Sequence, residues 1–305
     1  MMILPARIRA RARARRFALA LVAPLLVAWG AMGASPVLAE PALWAIKDKD
    51  STIYLFGTIH VLKPSTAWRS PKIAKAFEAA DDVVMEIEQP ESAAAVKVLM
   101  DKYGVDRAAP LSGKLAPDAY AKLGAAAQGM GLQPQSLEAM RPWRAALTVS
   151  LTPLLRAGYD PESGVEKLLT AQAKAAGKPI SAFETLEQQI RFFADMTPAQ
   201  EIHLLESTLD EIDDGPAEID ALVAGWAAGD QSELKRQMVD GLRGEYPDVY
   251  QLLLVERNKD WARQLKTKLA GSGVSFVAVG AGHLAGPDSL QTQLKALGIK
   301  AKPVN

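Results

Sequence analysis

The sequence contains no cysteine among its 305 residues. Disulfide bonds are therefore excluded, and so are metal sites with thiolate ligands and catalysis by a cysteine nucleophile. Histidine is also scarce, because only His60, His203 and His283 are present. Any metal site with imidazole ligands, or any histidine base, must use one or more of these three side chains.

Several common catalytic motifs are absent as well. The sequence has no His-Glu-x-x-His zinc motif, no Gly-x-Ser-x-Gly nucleophile motif and no phosphate-loop lysine motif. Gly280-x-Gly282-x-x-x-Gly286 follows an apolar run and resembles a dinucleotide-binding fingerprint. However, no acidic residue follows Asp288 to contact a ribose. The sequence therefore indicates neither a serine hydrolase of that type nor a dinucleotide-binding protein.

The first 39 residues contain six arginines and no acidic residue. An apolar run from Phe17 to about Met32 follows the arginines, and Val37-Leu38-Ala39 resembles a signal-peptidase site. This pattern predicts a cleavable export signal over residues 1–39, a mature domain over residues 40–305 and a periplasmic or secreted location. A retained N-terminal anchor is the alternative interpretation. Arg15-Arg16 leaves both general and twin-arginine export open.

The predicted mature chain is mildly acidic. Removing the signal lowers the 35 basic residues to 29 and leaves all 35 acidic residues, so the net charge without histidine is −6. Nucleic acids bind clustered Lys and Arg, so we expect no nucleic-acid partner. No later stretch approaches about 18 uninterrupted apolar residues, so we expect no membrane span after signal removal. The oligomeric state stays open.

Short β-rich segments alternate with long helical stretches after residue 40. A hairpin through residues 47–50 is predicted to join the first two strands. A one-faced helix over residues 73–80 then leads into the third strand, which is the crossover unit of a parallel sheet. We expect an α/β fold with a mixed, largely parallel sheet and a cap formed by helical insertions at about 91–176 and 186–269. The predicted strands cover residues 44–46, 51–57, 82–88, 178–184 and 274–280, with an edge strand at 300–304 and a last helix carrying Leu290, Leu294 and Leu297.

Each predicted interior strand carries an unusual polar residue at or near its end. His60 and His283 each follow a strand in a Gly-x-x-His motif, Glu86 lies within a strand, and Glu184 closes another. Ligands of open α/β sheets bind outside the carboxyl ends of the strands, so these four side chains are expected to meet there. Two imidazoles and two carboxylates suit Zn, Mn, Co or Fe.

Each of these residues also has a purely structural interpretation. Either histidine could be a hydrogen-bonded core residue, and Glu86 could lie on a solvated face together with Glu88. Glu184 could cap the helix that begins near Leu186. His203 lies beside an apolar helical stripe rather than on it, and we interpret it as a surface residue.

The predicted helix around Trp261 carries two polar residues on or near its apolar face. Asn258 falls on this face, and Arg257 lies one turn from Trp261. Polar residues on an inward stripe need hydrogen-bond partners. They could support a metal ligand, contact a substrate carboxylate or belong to a structural hydrogen-bond network.

An ordered set of motifs resembles the TraB/PrgY/GumN family, which includes the animal Tiki proteases, and is most similar to its bacterial GumN-like branch. The similarity covers about residues 42–304. It is carried by Leu55-Phe56-Gly57-Thr58-Ile59-His60, Val83-Val84-Met85-Glu86-Ile87-Glu88 and Val279-Gly280-Ala281-Gly282-His283-Leu284, with further matches at Arg141-Pro142-Trp143, Gly164-Val165-Glu166, Phe183-Glu184-Thr185-Leu186-Glu187-Gln188 and Glu256-Arg257-Asn258.

The resemblance implies a fold related to erythromycin-esterase-like and ChaN-like proteins. It also implies a centre of metal-dependent proteolysis, supported by Mn or Co in Tiki proteins. Carried over, the metal ligands are His60, Glu86 and His283. Glu166 stands where many relatives have aspartate, and Gln188 and Asn258 belong to further matching motifs.

We therefore expect an exported hydrolase that uses a divalent metal ion (Mn, Co or Zn) to cleave a peptide or a small amide-containing substrate. Glu86 or Glu184 would act as the general base, and Arg257 would bind a substrate carboxylate or the oxyanion. One alternative is a haem- or iron-binding protein without turnover, as the ChaN-like resemblance suggests. Another is an accessory factor in envelope polysaccharide assembly.

Overall fold

The structure, a computed structural model, describes residues 39–88, 93–211 and 215–305. Apart from Ala39, the predicted export signal falls outside these ranges and stays a prediction. Within the described ranges, no helix is long and apolar enough to cross a membrane.

A six-stranded mixed sheet forms the centre of the described chain. Its strand order is β4-β3-β5-β2-β1-β6, and the strands β4, β3, β5 and β2 are parallel to one another. β1 is antiparallel to both β2 and β6. The predicted α/β fold with a mixed, largely parallel sheet is confirmed. The strands are β1 (Leu43–Lys47), β2 (Ser51–Thr58), β3 (Asp82–Ile87), β4 (Ile180–Glu184), β5 (Gly273–Gly280) and β6 (Lys302–Pro303).

The first two strands form the predicted hairpin. The side chain of Asp48 accepts hydrogen bonds from the main-chain N–H groups of Asp50 and Ser51, at 3.2 and 2.8 Å. Asp is favoured in turns because its side chain can satisfy such N–H groups. The turn sets the register in which Lys47 lies opposite Thr52 and Leu43 opposite Phe56.

Helices fill both long insertions, as predicted. Helices α2 to α5 lie between β3 and β4 in the chain, and α6 to α12 lie between β4 and β5. Five helices (α1, α3, α4, α7 and α11) begin at a proline, which has no N–H to leave unsatisfied at that position. The helices are α1 (Pro71–Ala79), α2 (Ala93–Gly104), α3 (Pro117–Gly129), α4 (Pro142–Arg156), α5 (Val165–Ala175), α6 (Leu186–Ala194), α7 (Pro198–Glu211), α8 (Gly215–Ala227), α9 (Gln231–Lys235), α10 (Gly241–Glu245), α11 (Pro247–Tyr250), α12 (Glu256–Leu269) and α13 (Leu290–Ala296).

Both faces of the sheet are covered by apolar side chains. In β5, Phe276 and Ala278 pack into a core shared with α1, α5 and α8, whereas Val277 and Val279 pack against α12 and α13 on the other face. This alternation follows from the two-residue period of a strand. Because both faces are buried, the carboxyl ends of the parallel strands are where polar groups of the sheet can meet a ligand.

Two turns of π-helix interrupt the second helical insertion. They span Arg236–Asp240, between α9 and α10, and Gln251–Val255, between α11 and α12. A π turn is rare in proteins and is often found at a functional site. Both turns lie near the strand ends described next.

Candidate functional site

The first histidine of the site is positioned by contact between two loops. His60 follows β2, and the carbonyl of Ile59 accepts a hydrogen bond from the N–H of Val165, the first residue of α5, at 3.1 Å. A Cβ atom on Gly164 would lie 2.2 Å from the carbonyl oxygen of His60, so only glycine allows this approach. Glu166 in the first turn of α5 is thereby placed against the imidazole.

Glu166 binds the Nδ1 side of His60. One carboxylate oxygen lies 2.6 Å from Nδ1 and also accepts a hydrogen bond from the hydroxyl of Thr58. The surrounding protein opposes protonation of the ring by removing water. However, the side chain still exposes 66% of its surface, and the attraction of the Glu166 carboxylate for the protonated ring outweighs the loss of water. The pKa of His60 therefore rises to about 9. With Nδ1 bound to Glu166, Nε2 is the atom left for a ligand.

The second histidine has an equivalent arrangement in a drier place. His283 lies in the turn after β5 and is only 4% exposed. Its Nδ1 lies 2.8 Å from Oδ1 of Asn258, whose Nδ2 donates to the carbonyls of His283 and Asp288 at 3.3 and 2.9 Å. Because this amide donates through nitrogen elsewhere, its oxygen accepts from Nδ1–H. Burial, with the positive charge of Arg257, lowers the pKa of His283 to about 3, so the ring is neutral.

Glu86 is buried in β3 between these groups, with 5% of its surface exposed. One carboxylate oxygen accepts from the N–H of Gly280 at 2.8 Å, and the other accepts from Arg257 at 2.7 Å and from Gln189 at 3.0 Å. Burial opposes ionisation. The neighbouring positive charge, chiefly that of Arg257 since His283 is neutral, outweighs it and lowers the pKa of Glu86 to about 2. Glu86 is thus ionised, and the solvated-face interpretation is wrong.

Arg257 joins the two buried carboxylates. Its Nε and Nη2 donate to the two oxygens of Glu184, each at 2.8 Å, and Nη2 also donates to Glu86. Trp261 donates to Glu184 at 3.0 Å. Burial and repulsion from Glu86 raise the pKa of Glu184 despite the arginine. The Arg257 guanidinium therefore pairs with both carboxylates, although the pKa of Glu86 is lowered and the pKa of Glu184 is raised.

Three side chains converge on the space in front of Gly280. A Cβ atom there would lie 3.2 Å from a Glu86 oxygen, 3.7 Å from His60 Nε2 and 3.7 Å from His283 Cδ2. However, Nη1 of Arg257 contacts His283 Nε2 at 3.2 Å. Within the described ranges, no group of three or more His, Cys, Asp or Glu side chains is placed to hold a metal ion as the side chains stand.

Comparison with known proteins places the chain in a family. Residues 42–303 match the sequence model of the TraB/PrgY/gumN family. The chain belongs to this family. It is also 22% identical over 278 residues to an uncharacterized protein of Treponema pallidum (strain Nichols), and the match covers 85% of this chain and 82% of that protein. No solved structure matches the chain significantly.

This TraB/PrgY/gumN family member brings together most of the residues singled out from its sequence. His60, Glu86, Arg257 and His283 line one cavity of about 330 Å³. Glu184 lies behind Arg257 and lines neighbouring grooves instead. Of the three remaining predicted residues, Glu166 and Asn258 contact the two imidazoles.

Gln188 has a different place from that of the other predicted residues. Its main-chain N–H donates to the side chain of Thr185, and its own side chain accepts from the N–H of Thr185. This reciprocal pair caps α6. The cap is therefore formed by Thr185 and Gln188, and the interpretation of Glu184 as the helix cap is wrong.

Sequence reasoning missed Gln189, which donates to Glu86, and Thr58, which donates to Glu166. The sequence could have indicated Gln189, because it lies three residues after Leu186 and four before Phe193 and so shares one face of α6 with them. The interpretation of His203 as a surface residue is confirmed. Its side chain is exposed and contacts the hydroxyl of Tyr246 at 3.2 Å.

Proposed function

We propose that this protein is an exported, metal-dependent hydrolase that cleaves peptide or amide bonds. One observation carries the proposal. Both His60 and His283 use Nδ1 to bind a side-chain oxygen, which leaves Nε2 of each ring for a ligand. Nε2 of His60 lies near the buried carboxylate of Glu86, and Nε2 of His283 contacts Arg257, which binds the same carboxylate. A histidine that binds a metal ion typically donates its other ring N–H to such an oxygen, which fixes the tautomer and the orientation of the ring.

The donor set fits a divalent ion such as Mn, Co or Zn. His60, His283 and Glu86 would hold it, since two imidazoles and a carboxylate supply nitrogen and oxygen ligands around one point. A metal ion in such a site supplies an activated water and polarises a scissile carbonyl. Use of Nε2 of His283 requires the 3.2 Å contact with Arg257 to give way, whereas the paired bonds from Arg257 to Glu184 do not depend on that contact.

The protein's own side chains would perform the proton transfer and stabilise the developing negative charge. Glu86 is ionised at neutral pH and lines the cavity, so we assign it one of two roles: third ligand of the ion, or general base that accepts the proton of the attacking water. Arg257 keeps its charge and lines the cavity. The Nη1–H that contacts His283 becomes free when this ring binds the ion, and it can then donate to the substrate oxygen on which negative charge develops. Glu184 holds the guanidinium in place from behind.

Metal content and peptide cleavage of the purified protein test this proposal together. After dialysis, elemental analysis should find about one divalent ion per chain in the wild-type protein. His60→Ala and His283→Ala should each lose most of it, and the double variant should resemble either single variant because ligands act as a unit. His203→Ala is the matched control, since its ring lies on the surface.

Glu86→Gln separates base from ligand. If Glu86 is the base and not an essential ligand, the variant no longer cleaves a peptide library but keeps its metal. If Glu86 is a ligand, the variant loses both cleavage and metal. If both histidine variants stay folded by circular dichroism and keep full metal content, the shared site does not exist and the proposal falls.

A further inference from the structure

Six of the side chains that line the cavity are apolar, and we describe them as a wall beside the polar floor formed by His60, Glu86, Arg257 and His283. Every member of this wall is half-buried and contributes apolar surface to the cavity. We call these six side chains the apolar collar: Phe192, Phe193, Met238, Leu242, Leu253 and Leu254.

The collar contains no charged or hydrogen-bonding side chain, and the charges of the floor are already paired. Arg257 binds both Glu86 and Glu184 within the protein. A charged substrate group in the collar would lose water without gaining an ionic partner, which is costly. An apolar group there would instead be removed from water next to apolar side chains, which is favourable. The cavity therefore favours an uncharged occupant.

The two π turns supply half of this collar, and α6 and α10 supply the other half. Met238 comes from the turn at 236–240, and Leu253 and Leu254 come from the turn at 251–255. In the second turn, the carbonyl of Leu253 also accepts a hydrogen bond from Nη1 of Arg257 at 3.1 Å. One irregular turn thus shapes the apolar wall and helps to orient the arginine of the floor. Such a turn is rare, and its presence beside this cavity points to a role in binding.

We propose that the apolar collar binds a bulky, uncharged side chain of the substrate, of the leucine, methionine or phenylalanine class, beside the bond that faces Glu86 and the histidines. A cavity of about 330 Å³ is at the small end of ligand sites, which suits one such side chain and the adjoining amide. The position of the bond depends on the proposed hydrolase, but binding of the apolar side chain does not depend on turnover.

Matched tripeptides test the proposal by calorimetry on the full mature chain. The probes are acetyl-Ala-Xaa-Ala-amides in which Xaa is alanine, aminobutyrate, norvaline, norleucine or lysine. Each added methylene should raise affinity by about 3- to 4-fold, since burying one is worth roughly 0.8 kcal/mol. Lysine differs from norleucine essentially by its charged end and should bind at least about tenfold more weakly. Equal or tighter binding of the lysine peptide overturns the proposal.

Variants then locate the binding. Met238→Gln keeps the length of the side chain but makes it polar, and it should reduce the preference for norleucine over lysine at least about fivefold. Leu252→Asn is the control, because Leu252 lies in the second π turn beside Leu253 of the collar but lines neighbouring grooves and is 38% exposed. If Met238→Gln does not fold, Leu242→Gln gives the same readout. Equal preference in the collar variant and in the control overturns the assignment.

The outcomes also separate this inference from the proposed function. Selective binding of norleucine peptides without cleavage leaves the apolar collar in place and refutes the hydrolase. Cleavage of the library without preference for apolar side chains supports the hydrolase and refutes the role of the apolar collar.

Discussion

The Nδ1 atom of His60 lies 2.6 Å from a carboxylate oxygen of Glu166. His60 lies in the loop after β2 and Glu166 lies in α5, more than one hundred positions further along the chain. They meet because this loop packs on the start of α5. The carboxylate fixes the orientation of the ring and makes Nε2 a stronger metal ligand. Glu166 is therefore a positioning residue in the proposed metal site.

Replacing Glu166 by glutamine should weaken metal binding without unfolding the protein. The variant keeps the shape of the side chain and removes its charge, and loss of such a partner typically lowers metal affinity about 10- to 100-fold. Competition with a chromogenic chelator measures the change. Glu162→Gln is the control, because Glu162 lies four residues earlier, is exposed and pairs with Lys167. Equal affinities of the two variants would remove Glu166 from the site.

Gly164→Ala should destabilise the protein by at least about 1–3 kcal/mol. The added methyl group meets the carbonyl of His60 at 2.2 Å, so the loop that carries the imidazole must shift. Urea unfolding provides the measurement, and Gly113→Ala is the control because a Cβ atom there would meet nothing within 4 Å. The close approach is refuted if both variants unfold at the same urea concentration.

Arg257→Met should lower the free energy of unfolding by about 3–5 kcal/mol, because it leaves Glu86 and Glu184 buried without their cation. Adding Glu184→Gln should recover part of this loss, since one uncompensated charge is then removed. Chemical denaturation with activity measured on the same preparations tests both points.

Arg263→Met, on the same helix, is the comparison for Arg257→Met. Arg263 forms an exposed pair with Asp260, so its loss should cost at most about 1 kcal/mol. If Arg257→Met is no more destabilising than Arg263→Met, the buried network does not contribute as described. A normal activity per folded molecule would make Arg257 purely structural.

The mature protein should begin at or near Glu40. This expectation comes from the six arginines and the Val37-Leu38-Ala39 site in the sequence. Cell fractionation followed by intact-mass analysis tests it. Residues 1–39 still attached to exported protein would rule out cleavage, and retention in the cytosol would rule out export.

The strands and the gathering of the histidines could be predicted because each depends on a short stretch of sequence and one general rule. The apolar run at 273–280 is β5, and Gly-x-x-His at its end leaves His283 at the carboxyl edge of the sheet. The same rule placed His60 beside it. These inferences need no knowledge of the helices.

The partners of the histidines could not be predicted in this way. Glu166 reaches His60 through the docking of an inserted helix, which depends on tertiary packing rather than on spacing. Gln188 and Gln189 show the same limit more sharply. They are neighbours in sequence but lie about 100° apart around α6, so one caps the helix and the other binds Glu86.

The strand order determines at which point during synthesis of the chain the proposed centre can form. β5 is the last long strand in the chain, yet it lies between β2 and β3 and separates the strands that lead to His60 and Glu86. An N-terminal fragment emerging from a ribosome or a translocation pore contains His60 and Glu86 but lacks the strand that brings them together. Assembly of the proposed centre must therefore wait until nearly the whole polypeptide has been made, and a chain that ends before β5 lacks the centre.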